Sequence, residues 1–224
     1  MQSRFISLRE VFLASVAVGA GVLAVSLVAA PARQRKMSSS CLSNLMQIGL
    51  AMAQYSQDND NTLPRPWFGH DEGPSDAKHN SKWMDAVFPY LRRESLFLCP
   101  ADSQSKPYHF RQGDSYGSYL FNDAYFAPGD KFTPPGGQRL ERIADANTAL
   151  IMCGGSGFRF GWPDVKSQPP LEEDHVGDIQ FFHTSYPMTL WIAGNVVGYR
   201  PAQILGARDI NGQRVYTGLT IEAD

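Results

Sequence analysis

The longest unbroken apolar run, Val11 to Ala30, reads VFLASVAVGAGVLAVSLVAA and carries no charged side chain. At about 1.5 Å per residue it makes a helix of roughly 30 Å, the thickness of a bilayer's hydrocarbon layer. Arg4 and Arg9 precede it and Arg33, Arg35 and Lys36 follow, so basic flanks set no orientation. Ala30-Pro31-Ala32 offers a small-x-small site for a signal peptidase. The apolar core nevertheless exceeds the 7 to 15 or so residues usual in a secretory signal, and an uncleaved anchor fits its length better. Pro31 marks a kink or pause, after which Cys41, Leu45, Ile48, Met52 and Tyr55 recur at steps of four and three. Those steps trace one apolar face of a second helical stretch, with Ser43, Asn44, Gln47 and Gln54 on the other side. The stretch stops near Asp58-Asn59-Asp60-Asn61, ahead of Leu63-Pro64-Arg65-Pro66.

Beyond Trp67 the pattern shortens. Trp83, Met84, Val87, Phe88 and Leu91 mark an amphipathic helix shortened by Pro89, and Leu96 to Cys99 reads as a strand. Tyr116 to Phe121 and Leu150 to Cys153 are further strands. Ile179 to His183 and Met188 to Ile192 read as a hairpin turning at Tyr186-Pro187. Asn195 to Val197 and Arg214 to Ile221 add short strands, with Asn211-Gly212 as a turn. The fold class expected is α+β: a long N-terminal transmembrane and amphipathic helix packed on a small antiparallel sheet. Four segments follow: a leader-like 1–10, a transmembrane 11–30, a helix continuation 31–61 and a globular head 62–224.

With 224 residues and a formal net charge of -2, the chain lacks the basic excess of a nucleic-acid binder, and none is expected as a partner. Its three cysteines, Cys41, Cys99 and Cys153, lack the paired spacing of a zinc site, and an odd count rules out a fully paired framework. If the head lies outside the cytoplasmic membrane, Cys41 with Cys99 is the preferred disulfide pair. Cys153, inside Ala149-Leu150-Ile151-Met152-Cys153, reads as a small buried hydrophobe.

CLSNLMQIGLAMAQYSQDNDNTLP, SKWMDAVFPYL, LFLCPAD, SYGSYLFN and LERIADANTALIMCGG together resemble type IV pilin-like proteins with a prepilin-type N-terminus, of the large planctomycete-type family. That family often carries a C-terminal signature of His, nine residues, then Asp-Gly. Here the matching positions are His183, Ala193 and Gly194, so alanine replaces the signature Asp. The processing motif is matched by Phe5-Ile6-Ser7-Leu8-Arg9-Glu10, with Phe5 where the family has the Gly that precedes the cut. Glu10 holds the place of the family's acidic residue at the start of the apolar helix, where the resemblance implies pairing with a neighbouring subunit's amino terminus.

The reading this supports is a non-enzymatic, membrane-anchored pilin-like or pseudopilin-like subunit. It self-assembles through its N-terminal helix, or serves a type II secretion or type IV pilus-like apparatus, as a single pass in the inner membrane with its head in the periplasm or at the cell surface. Its partners are then the membrane and further pilin-like subunits, and no catalytic, cofactor or metal residue is assigned. The alternative is an anchored or secreted periplasmic enzyme or ligand-binding domain using a metal near Asp174, Asp178 and His183. Glu172-Glu173-Asp174-His175 with Asp178 is the densest set of hard ligands, although adjacent residues on extended chain point to opposite sides. His183 reads first as a hydrogen-bonded structural residue and second as a ligand or general base. No HExxH or GxSxG occurs, and Gly154-Gly155-Ser156-Gly157 lacks the lysine of a phosphate cradle.

Overall fold

In the computed structural model, the described residues are 8–66, 68, 82–112, 116–123, 133–143, 148–155, 159–160, 175–176, 179–180, 183, 188–198, 206–210 and 213–217. Of residues 8–14, 16–29 and the strands at 159–160, 175–176, 179–180, 206–210 and 213–217, the backbone path alone is described. The chain divides into two units, Met1–Met37 and Ser38–Asp224.

The first element, α1, is Leu8–Asp58, and Pro31 lies inside it without ending it. The helix stops where Asp60 and Asn61 turn left-handed, at φ 52 and 55, and the Asn61 amide donates to the Ser56 carbonyl at 2.8 Å. Among the described residues no helix is long and apolar enough to cross a membrane. That finding overturns the expected transmembrane segment, and with it the single-pass inner-membrane placement and the pilin-like or pseudopilin-like anchored subunit. What stands of the expected fold class is α+β, helices packed on a small sheet. Phe5 and Ile6 lie outside the described residues, as does the side chain of Glu10.

Within Ser38–Asp224, α1 lays one row into the core: Cys41, Leu45 and Ile48 are fully buried and Ala51 and Met52 nearly so. The four-three spacing carried this row, since such steps return a side chain to the same face of a helix. α2, Trp83–Leu91, follows as its apolar spacing predicts, with Pro89 in its last turn and Arg92 closing it at φ 53. Leu96 to Cys99, expected as a strand, is instead a 3₁₀ turn over Glu94–Phe97. Its hydrogen bonds run locally, and the Phe97 carbonyl accepts from the Ser118 amide at 2.8 Å. Gly117 passes so close to this carbonyl, at φ 68, that a Cβ there would collide with it, so only glycine permits the crossing.

The main sheet runs β3-β1-β2-β6-β7. Its antiparallel part is β1 (Tyr119–Asn122), β2 (Ala149–Cys153), β6 (Met188–Trp191) and β7 (Val196–Gly198), while β3 (Arg159–Phe160) joins β1 in parallel. Every residue of β1 and β2 is buried, so these centre strands are covered on both faces. Trp83 of α2 meets Phe97 and Phe121 at ring-centroid distances of 5.7 and 5.8 Å. Gly49 of α1 packs against the Leu190 side chain of β6, where an added Cβ would come within 2.9 Å. Among the described residues, the strands expected to pair as a hairpin between 179–183 and 188–192 have other partners. β5 (Ile179–Gln180) pairs with β4 (His175–Val176), and β6 pairs with β2 and β7. The tight turn is the one at Ala193-Gly194, where Gly194 at φ 84 lets the Trp191 and Asn195 backbones bond. A further hairpin pairs β8 (Gly206–Ile210) with β9 (Gln213–Thr217), so the strand that pairs with the one expected from Arg214 is 206–210 and not Asn195 to Val197.

Candidate metal centre

Four distant parts of the sequence meet at one buried point. Cys41 comes from the inward row of α1. Cys99 leaves the 3₁₀ turn and opens the turn Cys99-Pro100-Ala101-Asp102, which the Asp102 amide closes on the Cys99 carbonyl at 3.0 Å. Asp102 then accepts the Gln104 and Ser105 amides on one carboxylate oxygen, both at 2.9 Å, fixing the exit of that turn. Cys153 ends β2 opposite Tyr119 of β1. His183 lies between β5 and β6 and is 2% exposed, while all three cysteines are fully buried.

The three sulfurs and one ring nitrogen lie within 4.8 Å of one another. His183 Nε2 is 3.1 Å from Cys99 Sγ and 3.7 Å from Cys153 Sγ. A tetrahedral zinc with bonds of about 2.3 Å to sulfur and 2.0 Å to nitrogen needs edges of about 3.8 Å between sulfurs and 3.5 Å between sulfur and nitrogen. The two sulfur–nitrogen spacings bracket the second of those edges, and all four atoms lie within 4.8 Å. Ligands of a two-iron cluster would have to spread across two metals, so the spacing fits a single ion. Soft thiolates with one imidazole suit zinc and exclude calcium or magnesium, which take oxygen.

Around the four atoms sits a ring of hydrogen-bond partners. The Ala101 amide donates to Cys99 Sγ at 3.4 Å, the Tyr119 hydroxyl to Cys41 Sγ at 3.5 Å, and Ser38 Oγ lies 3.2 Å from His183 Nδ1. Ser118 Oγ accepts the Cys99 amide at 3.0 Å and so holds the backbone of that ligand. The protonation pattern is split. Cys99 is held far below the ordinary thiol range, first by a hydrogen bond from Cys153, then by one from Cys41 and by His183. Burial pushes Cys41 and Cys153 well above that range, and it does the same to the Tyr119 hydroxyl beside them. Gathering all three as thiolates requires a positive charge in their midst.

All three thiols are free. Cys41 and Cys99, paired on the sequence as a candidate disulfide, are brought together, but as two corners of a four-cornered site that also takes Cys153. Cys153 is buried as expected, yet its sulfur faces the cluster. His183, read first as structural, supplies the nitrogen. Asp174 and Asp178 lie outside the described residues. Ala193 and Gly194 form the exposed β6–β7 turn. Sequence reasoning passed over the set because no two of its members share the short Cys-x-x-Cys spacing that advertises zinc. A cluster able to coordinate a metal also overturns the expectation of a purely structural, non-enzymatic subunit.

A thiolate beside an imidazole is also the pattern of a nucleophile and its base. Here the sulfur is fully buried, and a second thiol shares the same ring nitrogen.

Residues 30–97 match the family SBP_bac_10, described as Protein of unknown function (DUF1559), a planctomycete-type family. The match takes in Cys41 and ends ahead of Cys99, Cys153 and His183. Neither the curated proteins nor the solved structures compared with the chain yield a match.

Proposed function

We propose that this chain is a metal-binding domain that holds one zinc ion, or a close chemical equivalent, on Cys41, Cys99, Cys153 and His183. The observation that carries the reading is the convergence of four buried soft ligands within 4.8 Å. It develops the metal alternative drawn from the sequence, keeping His183 and exchanging the acidic residues for sulfur. Three thiolates and a neutral imidazole around a dication leave a net charge of about -1, which the Ala101 amide and Tyr119 hydroxyl partly neutralise. The ion would tie α1, the Cys99 turn, β2 and the His183 segment together. With four protein ligands the coordination sphere is full. Chemistry on a substrate at the ion would require one ligand to yield its place.

The test is metal analysis of the full chain produced with zinc in the medium and desalted. One zinc per chain is expected, and cobalt substitution should give intense visible bands and a sulfur-to-cobalt charge-transfer band that Cys99→Ser abolishes. A desalted protein free of zinc that stays colourless with cobalt would refute the reading.

A further inference from the structure

Beyond the four ligands, we infer that Ser38 is a positioning residue of the same centre, holding His183 in the tautomer and plane that present Nε2 to the cation. This rests on the metal-binding reading above. The two ring nitrogens have separate partners: Nε2 faces Cys99 and Cys153, and Nδ1 faces Ser38 Oγ at 3.2 Å. An imidazole that binds a metal through Nε2 carries its proton on Nδ1 and needs an acceptor there to stop the ring from turning. Ser38 is the hydrogen-bond partner found at that position.

Its place in the helix explains how it gets there. Ser38 and Cys41 are three positions apart on α1, so they project from the same face. One turn of helix thus delivers a ligand and also the group that aims a second ligand, one lying 145 positions further along the chain. Among the described residues, the ring meets Ser38 on one side and sulfur on the other. Loss of the hydroxyl would leave the buried Nδ1–H without that acceptor, a cost borne most fully when the metal fixes the tautomer.

The experiment compares Ser38→Ala and Ser38→Thr with the unaltered full chain. Zinc affinity is read by competition with a chromophoric chelator, and the His183 ring by nitrogen-15 NMR of the zinc-loaded proteins. Ser38→Ala should bind zinc about 10- to 100-fold more weakly, and Ser38→Thr, which keeps a hydroxyl, within about threefold of the original. The Nδ1–H resonance should be protected from solvent exchange in the original and in Ser38→Thr and lost in Ser38→Ala, a change that a purely structural serine would not produce. Zinc bound equally tightly by Ser38→Ala, or a metal-bound Nδ1 in the original protein, would overturn the inference while leaving the metal-binding reading intact. An original protein that takes up no zinc would overturn both.

Discussion

Two buried polar clusters in this protein meet the same physical demand in different ways. Around Asp85 every demand is met by protein. Its carboxylate accepts from the Lys82 amide at 2.9 Å, the Tyr108 hydroxyl at 2.6 Å and the Arg111 amide at 2.8 Å. The buried Lys82 ammonium donates to the Gln112 carbonyl and lies over the Tyr116 ring at 4.6 Å. At the cysteine centre the groups are three thiols and an imidazole, each a would-be metal ligand, packed against one another. The first cluster is a finished network in which charge and partner came from the same chain. On the metal-binding reading the second is completed by a cation, because gathering three thiolates without one is prohibitive in a medium of low dielectric. Burial alone therefore does not distinguish a structural polar cluster from a site. The sign of the groups does.

Removing the metal should produce the largest separation between the two. An ion held at a thousandfold excess over its dissociation constant contributes about 4 kcal/mol to folding. A strong chelator, or Cys99→Ala, should lower the stability of the zinc-loaded chain by about that amount, as read by urea denaturation. Asp85→Ala attacks the other cluster and leaves three donors unpaired, one of them on a buried tyrosine. About 3 kcal/mol of stability should be lost with the zinc content unchanged.

The two tyrosines offer a matched pair of smaller changes. Tyr108→Phe deletes a hydroxyl on Asp85 and should cost about 1 to 2 kcal/mol without touching metal affinity. Tyr119→Phe deletes one on Cys41 and should weaken zinc binding several-fold, as read by chelator competition, with a smaller change in folding. Equal effects of both on zinc would erase the distinction between the clusters.

Proton linkage gives the gentlest test. Burial holds Cys41 and Cys153 protonated without metal, and zinc needs them as thiolates, so loading should release about two protons at neutral pH. Affinity should then fall by about a hundredfold for each pH unit below neutrality, measured by titration calorimetry in buffers of different ionisation heat. The Asp85 cluster responds at the opposite end of the scale. Burial, helped by Asp85, raises the Tyr108 hydroxyl above its ordinary value of 10.0. Because its folded value is the higher one, the stability it contributes is full below about pH 10 and is lost as pH rises beyond that.

The sequence carried the helices and centre strands well, since the Cys41-Leu45-Ile48-Met52 row and the Leu150 to Cys153 run report burial directly through spacing. It carried the site only in fragments. Cys41 and Cys99 read as a candidate disulfide pair, whereas both are free thiols, and Cys153 read as a small buried hydrophobe. What stayed hidden was that one point serves all three, because their meeting depends on pairings such as Tyr119 with Cys153 that no local pattern announces. The strand expected at Leu96 to Cys99 failed for a related reason. Apolar content does not distinguish a strand from a 3₁₀ turn when a distant residue, Ser118, takes the carbonyl. The membrane reading rested on one apolar run together with the resemblance to pilin-like proteins.

The wide spread of the four ligands along the chain bears on the order of events during synthesis. A zinc finger closes on ligands that emerge within seconds of each other, whereas this centre stays open until His183 has been made and the sheet has placed Cys153 beside Cys99. Closing so long a loop is entropically slow, and contacts of this range form late. An ion bound there would be a latch set last, and the thiols made first, Cys41 and then Cys99, wait the longest in a chain not yet able to shield them.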